Sequence, residues 1–171
     1  MADKDNEPTS YASPVCFMGE IDAEMDPAYF GYLSRTEQLA LLNLLLECER
    51  AGARGVSDIA ERCTDAPVRE ALRAIAHDEA RYCAMLTYHI KQLGGVPSHE
   101  TGSFYRKLVA LDTLDSQLSL LDRGQGWVAD KLRETLPKLP AGTLQTDLAD
   151  MLDVHDRNIA HARDLARDLR P

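Results

Sequence analysis

The chain has 171 residues, 44% hydrophobic and 27% charged, which suits one globular domain with a single core. With 28 acidic against 19 basic side chains and a net charge of −9, it lacks the basic footprint of a nucleic-acid or anionic-membrane binder. No apolar run approaches the ~20 residues of a membrane span, and the polar start MADKDNEPTS has no signal-peptide pattern, so the expectation is a cytoplasmic protein.

Residues 1–30 hold seven acids (Asp3, Asp5, Glu7, Glu20, Asp22, Glu24, Asp26) and one base, Lys4, and so carry −6 of the −9. Pro8, Pro14, Gly19 and Pro27 oppose a long helix there. Residues 1–33 therefore read as an N-terminal arm whose first ~10 residues are mobile. Residues 14–33 carry Val15, Phe17, Met18, Ile21, Met25, Tyr29, Phe30 and Tyr32, enough apolar area to dock on the rest of the chain.

Beyond the arm, apolar residues recur at three and four and period-two runs of β-branched residues are missing, so the fold class is all-α. Ser34-Arg-Thr-Glu37 is a capping-box pattern and starts a first helix that runs to about Cys63. Asp65-Ala-Pro67 opens a second helix, with proline in its first turn, and Gly94, Gly95 and Pro97 stop it. A third is expected from near Ser103 to Pro137, and a fourth from Pro140-Ala-Gly-Thr143 to the C-terminus. Residues 34–171 thus predict a four-helix bundle.

Each helix has an apolar stripe, and each stripe is broken near its middle. The first reads Leu39, Leu42, Leu46, Glu49, Ala53, Val56; the second Val68, Leu72, Ile75, Glu79, Tyr82, Leu86, Ile90, Leu93. The third reads Leu111, Leu114, Leu118, Leu121, Gln125, Val128, Leu132; the fourth Leu144, Leu148, Met151, His155, Asn158, Ala162, Leu165, Leu169. By contrast Asn43, Glu47, Arg50, Arg54 and Asp58 share what reads as a solvated face. The intervals Glu49 to Gln125, Glu79 to His155 and Tyr82 to Asn158 are each 76 residues, as if two helical hairpins were in register. All six side chains are then expected in one central layer.

Two buried carboxylates cannot share such a layer without protons, strong donors or a cation. A divalent ion answers this directly. Glu49, Glu79, His155 and Gln125 offer the O, O, N and O donors that suit Fe²⁺, Mn²⁺ or Zn²⁺, with Tyr82 and Asn158 one turn further along, as outer partners or extra ligands.

These residues give the chain a resemblance to the ferritin-like superfamily, over roughly residues 34–170. LLECERAGARG and AHDEARYCAML are similar to the first two helices of rubrerythrin-like and bacterioferritin-like proteins, and Gly124-Gln-Gly-Trp-Val128 with His155 to Ile159 resembles a ferritin-like subgroup. The resemblance implies Glu on one helix and Glu-x-x-His on the next, repeated in the second hairpin. Here Tyr82 stands where the family has histidine, Gln125 replaces the third glutamate, and His155 with Asn158 replaces the last Glu-x-x-His. Two carboxylates cannot neutralise two divalent ions as four do, so the implied site holds one metal, iron favoured over manganese or zinc. An open coordination position on iron would permit O₂ or peroxide chemistry, and the resemblance further implies a homodimer served by a small-molecule substrate or redox partner.

Other readings of the same residues stand beside this one. Glu49 and Glu79 could bond to Arg50 or Arg81; Gln125 and Asn158 could be amides linking helices; His155 could be satisfied by a backbone carbonyl. The whole would then be a degenerate scaffold or partner-binding module, and iron storage is a third reading. Cys16 and Glu20, four residues apart on the arm, are candidates to cap the site. Cys16, Cys48, Cys63 and Cys83 contain no CxxC pair and are expected as free thiols. His77, Asp78, His89 and His161 read as surface residues, His99 as a loop residue, and Trp127 as packing, at a subunit interface if there is one.

Overall fold

The computed structural model describes residues 27–168, and among them every regular element is helical. A 3-10 turn at Pro27–Phe30 precedes α1 (Arg35–Arg62), α2 (Ala66–Gln92), α3 (Phe104–Val109), α4 (Leu114–Thr135), a second 3-10 turn at Leu136–Lys138, and α5 (Thr143–Asp168). Cys16 and Glu20, with the mobility and docking expected of residues 1–26, lie outside the described residues. Phe30 and Tyr32, which were expected to dock, are exposed. The backbone still anchors here, since Leu33 N donates to Lys138 O at 2.8 Å.

The capping box forms as the sequence predicts. Ser34 Oγ accepts from Glu37 N while Ser34 N donates to Glu37 Oε2 at 2.8 Å. Asp65 caps α2 by accepting from Val68 N at 3.0 Å, with Pro67 in the first turn. Past the end of α2, Gly94 takes φ +67°, a left-handed conformation natural to glycine. Arg35 Nε donates to Leu93 O at 2.6 Å, tying the start of α1 to the end of α2.

The expected third helix is two. α3 ends at Val109, and α4 begins afresh because the Thr113 hydroxyl accepts from Ser116 N at 3.2 Å, a stronger start signal than continuity of the stripe. Leu111 therefore lies in the break, where its carbonyl accepts from Gln117 Nε2 at 2.8 Å.

The stripe read as solvated is covered. Asn43 Oδ1 accepts from Ser98 N at 2.6 Å, Glu47 Oε1 from Ser98 Oγ at 2.6 Å, and Arg50 donates to Ser98 O and Glu100 O. Higher up, the Arg54 guanidinium stacks 4.4 Å from the Tyr105 ring centroid, and Asp58 accepts from Tyr105 Oη at 2.8 Å. Backbone and hydroxyl groups of a connecting segment packed against a helix need polar partners in place of water, and this face supplies them along α1 from Asn43 to Asp58. The connection thus returns the chain to the far end of α1 before α4 starts. As a result α4 runs parallel to α2 and antiparallel to α1, and α5 runs parallel to α1.

The helices pair as α1 with α2 and α4 with α5, the two hairpins meeting along α2 with α5 and α1 with α4. Two apolar clusters fill the interior. One gathers Leu42, Leu45, Leu46, Tyr82, Leu86, Ile90, Leu132, Leu148 and Met151; the other gathers Val56, Ile59, Val68, Leu72, Ile75, Leu108, Leu118 and Leu121. Between them α1, α2 and α4 each present a polar residue instead. His89 is also inside rather than on the surface: its Nε2 lies 2.7 Å from Asp147 Oδ2, joining the end of α2 to the start of α5.

Candidate functional site

Glu49 of α1, Glu79 of α2, Gln125 of α4 and His155 of α5 are each 1–4% exposed. The structure therefore brings together the four side chains the stripes single out. They pair across the diagonals of the bundle. His155 Nε2 is 3.2 Å from Glu49 Oε1, and Gln125 Nε2 donates to Glu79 Oε1 at 2.5 Å. His155 Nδ1 lies 3.0 Å from Met151 O. A carbonyl only accepts, so Nδ1 carries a hydrogen and Nε2 is the nitrogen that faces the carboxyl.

Burial pushes against an imidazolium here, but the Glu49 hydrogen bond and charge and the Met151 carbonyl outweigh it and raise the His155 pKa above its usual 6.5. Glu79 is raised well above the ordinary 4.5, by burial first and by the Glu49 charge second, with the Gln125 bond opposing. Glu49 Oε2, Glu79 Oε2 and Gln125 Oε1 have no hydrogen-bond partner among the described residues. Three buried acceptors without a donor call for water, a ligand or a cation.

Tyr82 and Asn158, expected one turn along as outer partners or extra ligands, lie beside the four-residue layer with their polar ends turned from it. The buried Tyr82 ring is 6.0 Å from the His155 ring, yet its hydroxyl turns to Arg81 Nη2 at 2.7 Å and Asp150 Oδ2 at 3.3 Å. Asn158 Nδ2 reaches Asp78 Oδ2 at 3.5 Å. Both sit at the seam of α2 and α5, where hydrogen-bond partners at the rim are closer than the central layer. Arg50 and Arg81 make their bonds to the connection and to this seam, not to Glu49 and Glu79.

The layer is reached through a cleft of about 420 Å³ between α1 and α4, beneath α3. Glu49, Glu79 and Gln125 form its floor, Cys48, Gly52, Phe104, Leu120, Gly124, Trp127 and Val128 line it, and Lys107 and Arg123 are at its mouth. The stripes do not reveal this cleft, because its walls come from the flanks of α1 and α4 and from the short α3. One signal was present in the sequence. Gly52 and Gly124 sit inside helical patterns, where glycine costs stability and marks a close approach. A Cβ at 52 would lie 2.7 and 2.8 Å from Glu79 Cδ and Oε2, and one at 124 would lie 2.9 Å from Phe104 Cζ. Trp127 is 46% exposed at the cleft.

Cys48, Cys63 and Cys83 are free. Burial first and the Glu49 charge second push the Cys48 and Cys83 thiols up to about 11, so they are poor thiolate donors. Two carboxyls, an amide and an imidazole remain as the donor set, and hard oxygens with one nitrogen fit a divalent transition metal. No three His, Cys, Asp or Glu side chains among the described residues are gathered into a ready metal cluster, as His155 is turned to Glu49 and Glu79 to Gln125.

An all-α bundle with a buried polar layer open to one cleft is the class that fold and site define; among the described residues no helix is long and apolar enough to cross a membrane. The family model that matches residues 36–165 is the domain of unknown function DUF6306, and the chain belongs to that family. No curated protein matches it.

Proposed function

We propose that this chain is a ferritin-like bundle protein binding one divalent transition-metal ion, iron favoured over manganese or zinc, in the layer of Glu49, Glu79, Gln125 and His155. The observation that carries the reading is the set of three buried oxygens without donors at the inner end of the cleft. Two hairpins joined by a connection that climbs α1 support the ferritin-like assignment. Bound there, a redox-active ion would supply dioxygen or peroxide chemistry, which makes the protein a candidate oxidoreductase. The chain's own part is to hold and shield. Glu49 and Glu79 offer charged oxygens, Gln125 a neutral one, and the Met151 carbonyl fixes which His155 nitrogen points inward. Gly52 leaves room for the Glu79 carboxyl, and the apolar walls limit bulk water. A cytoplasmic homodimer, served by a small-molecule substrate or redox partner, completes the reading.

A second reading, a metal-free scaffold or partner-binding module, is favoured by one observation: each acid already has a partner, Glu49 in His155 and Glu79 in Gln125. Elemental analysis by mass spectrometry on untagged protein, beside a Glu49→Ala, Glu79→Ala double variant, separates them. About one metal per chain, lost in the variant, is the expected result. None after anaerobic Fe²⁺ addition would overturn the metal reading in favour of the scaffold, and two per chain would overturn the single-ion site.

A further inference from the structure

We infer that the cleft between α1 and α4 is a binding site for a small organic carboxylate with an apolar body, a property that does not depend on whether a metal occupies the layer. Its volume of about 420 Å³ lies within the range of small-ligand pockets. Its walls are apolar, from Phe104, Leu120, Trp127 and Val128. The side chains of Lys107 and Arg123 are exposed at its mouth and make no ion pair or hydrogen bond with the described residues. Two cations without an ion pair among the described residues, at the rim of an apolar cleft, give it the charge and the donors to hold an anion. The opposite end offers an anion no free donor among the described residues: Glu49 Oε2, Glu79 Oε2 and Gln125 Oε1 are buried oxygens without a hydrogen-bond partner there. The ligand is thereby oriented, with its carboxylate outward against Lys107 and Arg123, its hydrocarbon body between Phe104 and Trp127, and its far end toward the layer.

The cleft depends on glycine. At Gly124 any Cβ would meet the Phe104 ring, 2.9 Å from Cζ, so the wall could stand only by moving into the cavity or out of the core. Lys107, Arg123 and Gly124 are accordingly specificity-determining positions for which the layer residues have no substitute.

Trp127 is the chain's only tryptophan, so its fluorescence reports on the cleft directly. The test titrates 3-phenylpropionate into the full chain, with and without chelator, by Trp127 fluorescence and by calorimetry. Expected is saturable binding in both preparations, weakened about tenfold or more in Lys107→Ala, Arg123→Ala and equally for the uncharged 3-phenylpropionamide. Gly124→Ala should lose binding while keeping its helical circular dichroism. Binding of the amide as tightly as the acid, or unchanged binding in the double variant, would overturn the carboxylate. Inorganic phosphate displacing the probe on its own would show a bare anion site with no use for the walls. No heat and no fluorescence change up to ~10 mM, weaker than any affinity worth assigning, would remove the site. A synthetic peptide of residues 11–26 that binds when 3-phenylpropionate does not would replace the ligand by the chain's own acidic segment. Binding is scored separately in the chelator-treated and untreated protein, so the failure of the metal reading and the failure of this one are distinguishable.

Discussion

Gly52→Ala separates the packing of the central layer from ordinary helix propensity. Glycine to alanine inside a helix is favourable by about 0.8–1 kcal/mol when nothing else changes. At Gly126 of α4 nothing lies within 4 Å of an added Cβ, so Gly126→Ala should show that gain. At Gly52 the added Cβ meets Glu79 Cδ at 2.7 Å and Oε2 at 2.8 Å. The cheaper relief is to swing the Glu79 carboxyl away, which breaks the 2.5 Å bond from Gln125 Nε2. Breaking it strands the Gln125 amide as a buried donor without an acceptor, which costs about 1–3 kcal/mol, so after the propensity gain the net effect is a destabilisation of up to about 2 kcal/mol. The two variants should differ by about 1–3 kcal/mol, or on the order of 2–12 °C in melting temperature for a domain of this size. Urea denaturation with an unchanged m-value measures it. If Gly52→Ala stabilises as much as Gly126→Ala, Glu79 does not occupy the space over Gly52 and the geometry of the layer is wrong.

Because Glu79 and His155 are both raised above 4.5 and 6.5, the folded state holds protons that the unfolded state has released, and stability falls with rising pH. In chelator-treated protein the urea midpoint should drop between pH 5 and 8; Glu79→Gln should remove the part that sets in above 4.5 and leave only the His155 part above 6.5, and equal slopes in both proteins would refute the assignment. Thr113→Ala removes the hydroxyl that starts α4 and should cost about 1 kcal/mol, roughly 2–4 °C in melting temperature; an unchanged melting curve would mean the α3–α4 break has another cause. With thiols at about 11, Cys48 and Cys83 are roughly 0.1% thiolate at pH 8, so peptide mapping after native iodoacetamide treatment should find them unmodified, and fast labelling would show that burial and the nearby Glu49 charge do not hold them as thiols.

How much of this was written in the sequence depends on what kind of physics placed each residue. Periodicity carries burial, so Glu49, Glu79, Gln125 and His155 could be read from four interrupted stripes before any coordinates. Periodicity does not carry the direction of a polar tip: Tyr82 and Asn158 lie on or beside the same stripes, but Asp150 and Asp78 at the α2–α5 seam draw their polar ends outward. His89 departs from the surface reading for the converse reason, since its partner Asp147 lies 58 residues away on α5. The stripe Asn43, Glu47, Arg50, Arg54, Asp58 has the composition of a wet surface, and nothing local distinguishes it from a track of partners for a connecting segment. The 76-residue interval placed Glu49 with Gln125 and Glu79 with His155 as equivalents, whereas the bonds run Glu49 to His155 and Glu79 to Gln125; equivalence by repeat is not contact.

Charge balance supports the proposal of a single divalent ion for this layer. The shifts of Glu79 and His155 both run toward the protonated forms, and a layer holding those two protons beside one carboxylate sums to zero, which suits a site 1–4% exposed. Release of those two protons leaves two carboxylates, a neutral imidazole and an amide, a charge of −2 that one divalent ion cancels. The protonated layer and the single-ion layer are therefore both neutral, and exchange between them leaves no buried excess in either direction. A second divalent ion would leave +2 in the same place. Against the ferritin-like pattern that the sequence resembles, Gln125 and His155 stand where two glutamates would, and those two replacements remove the two negative charges that a second ion would require.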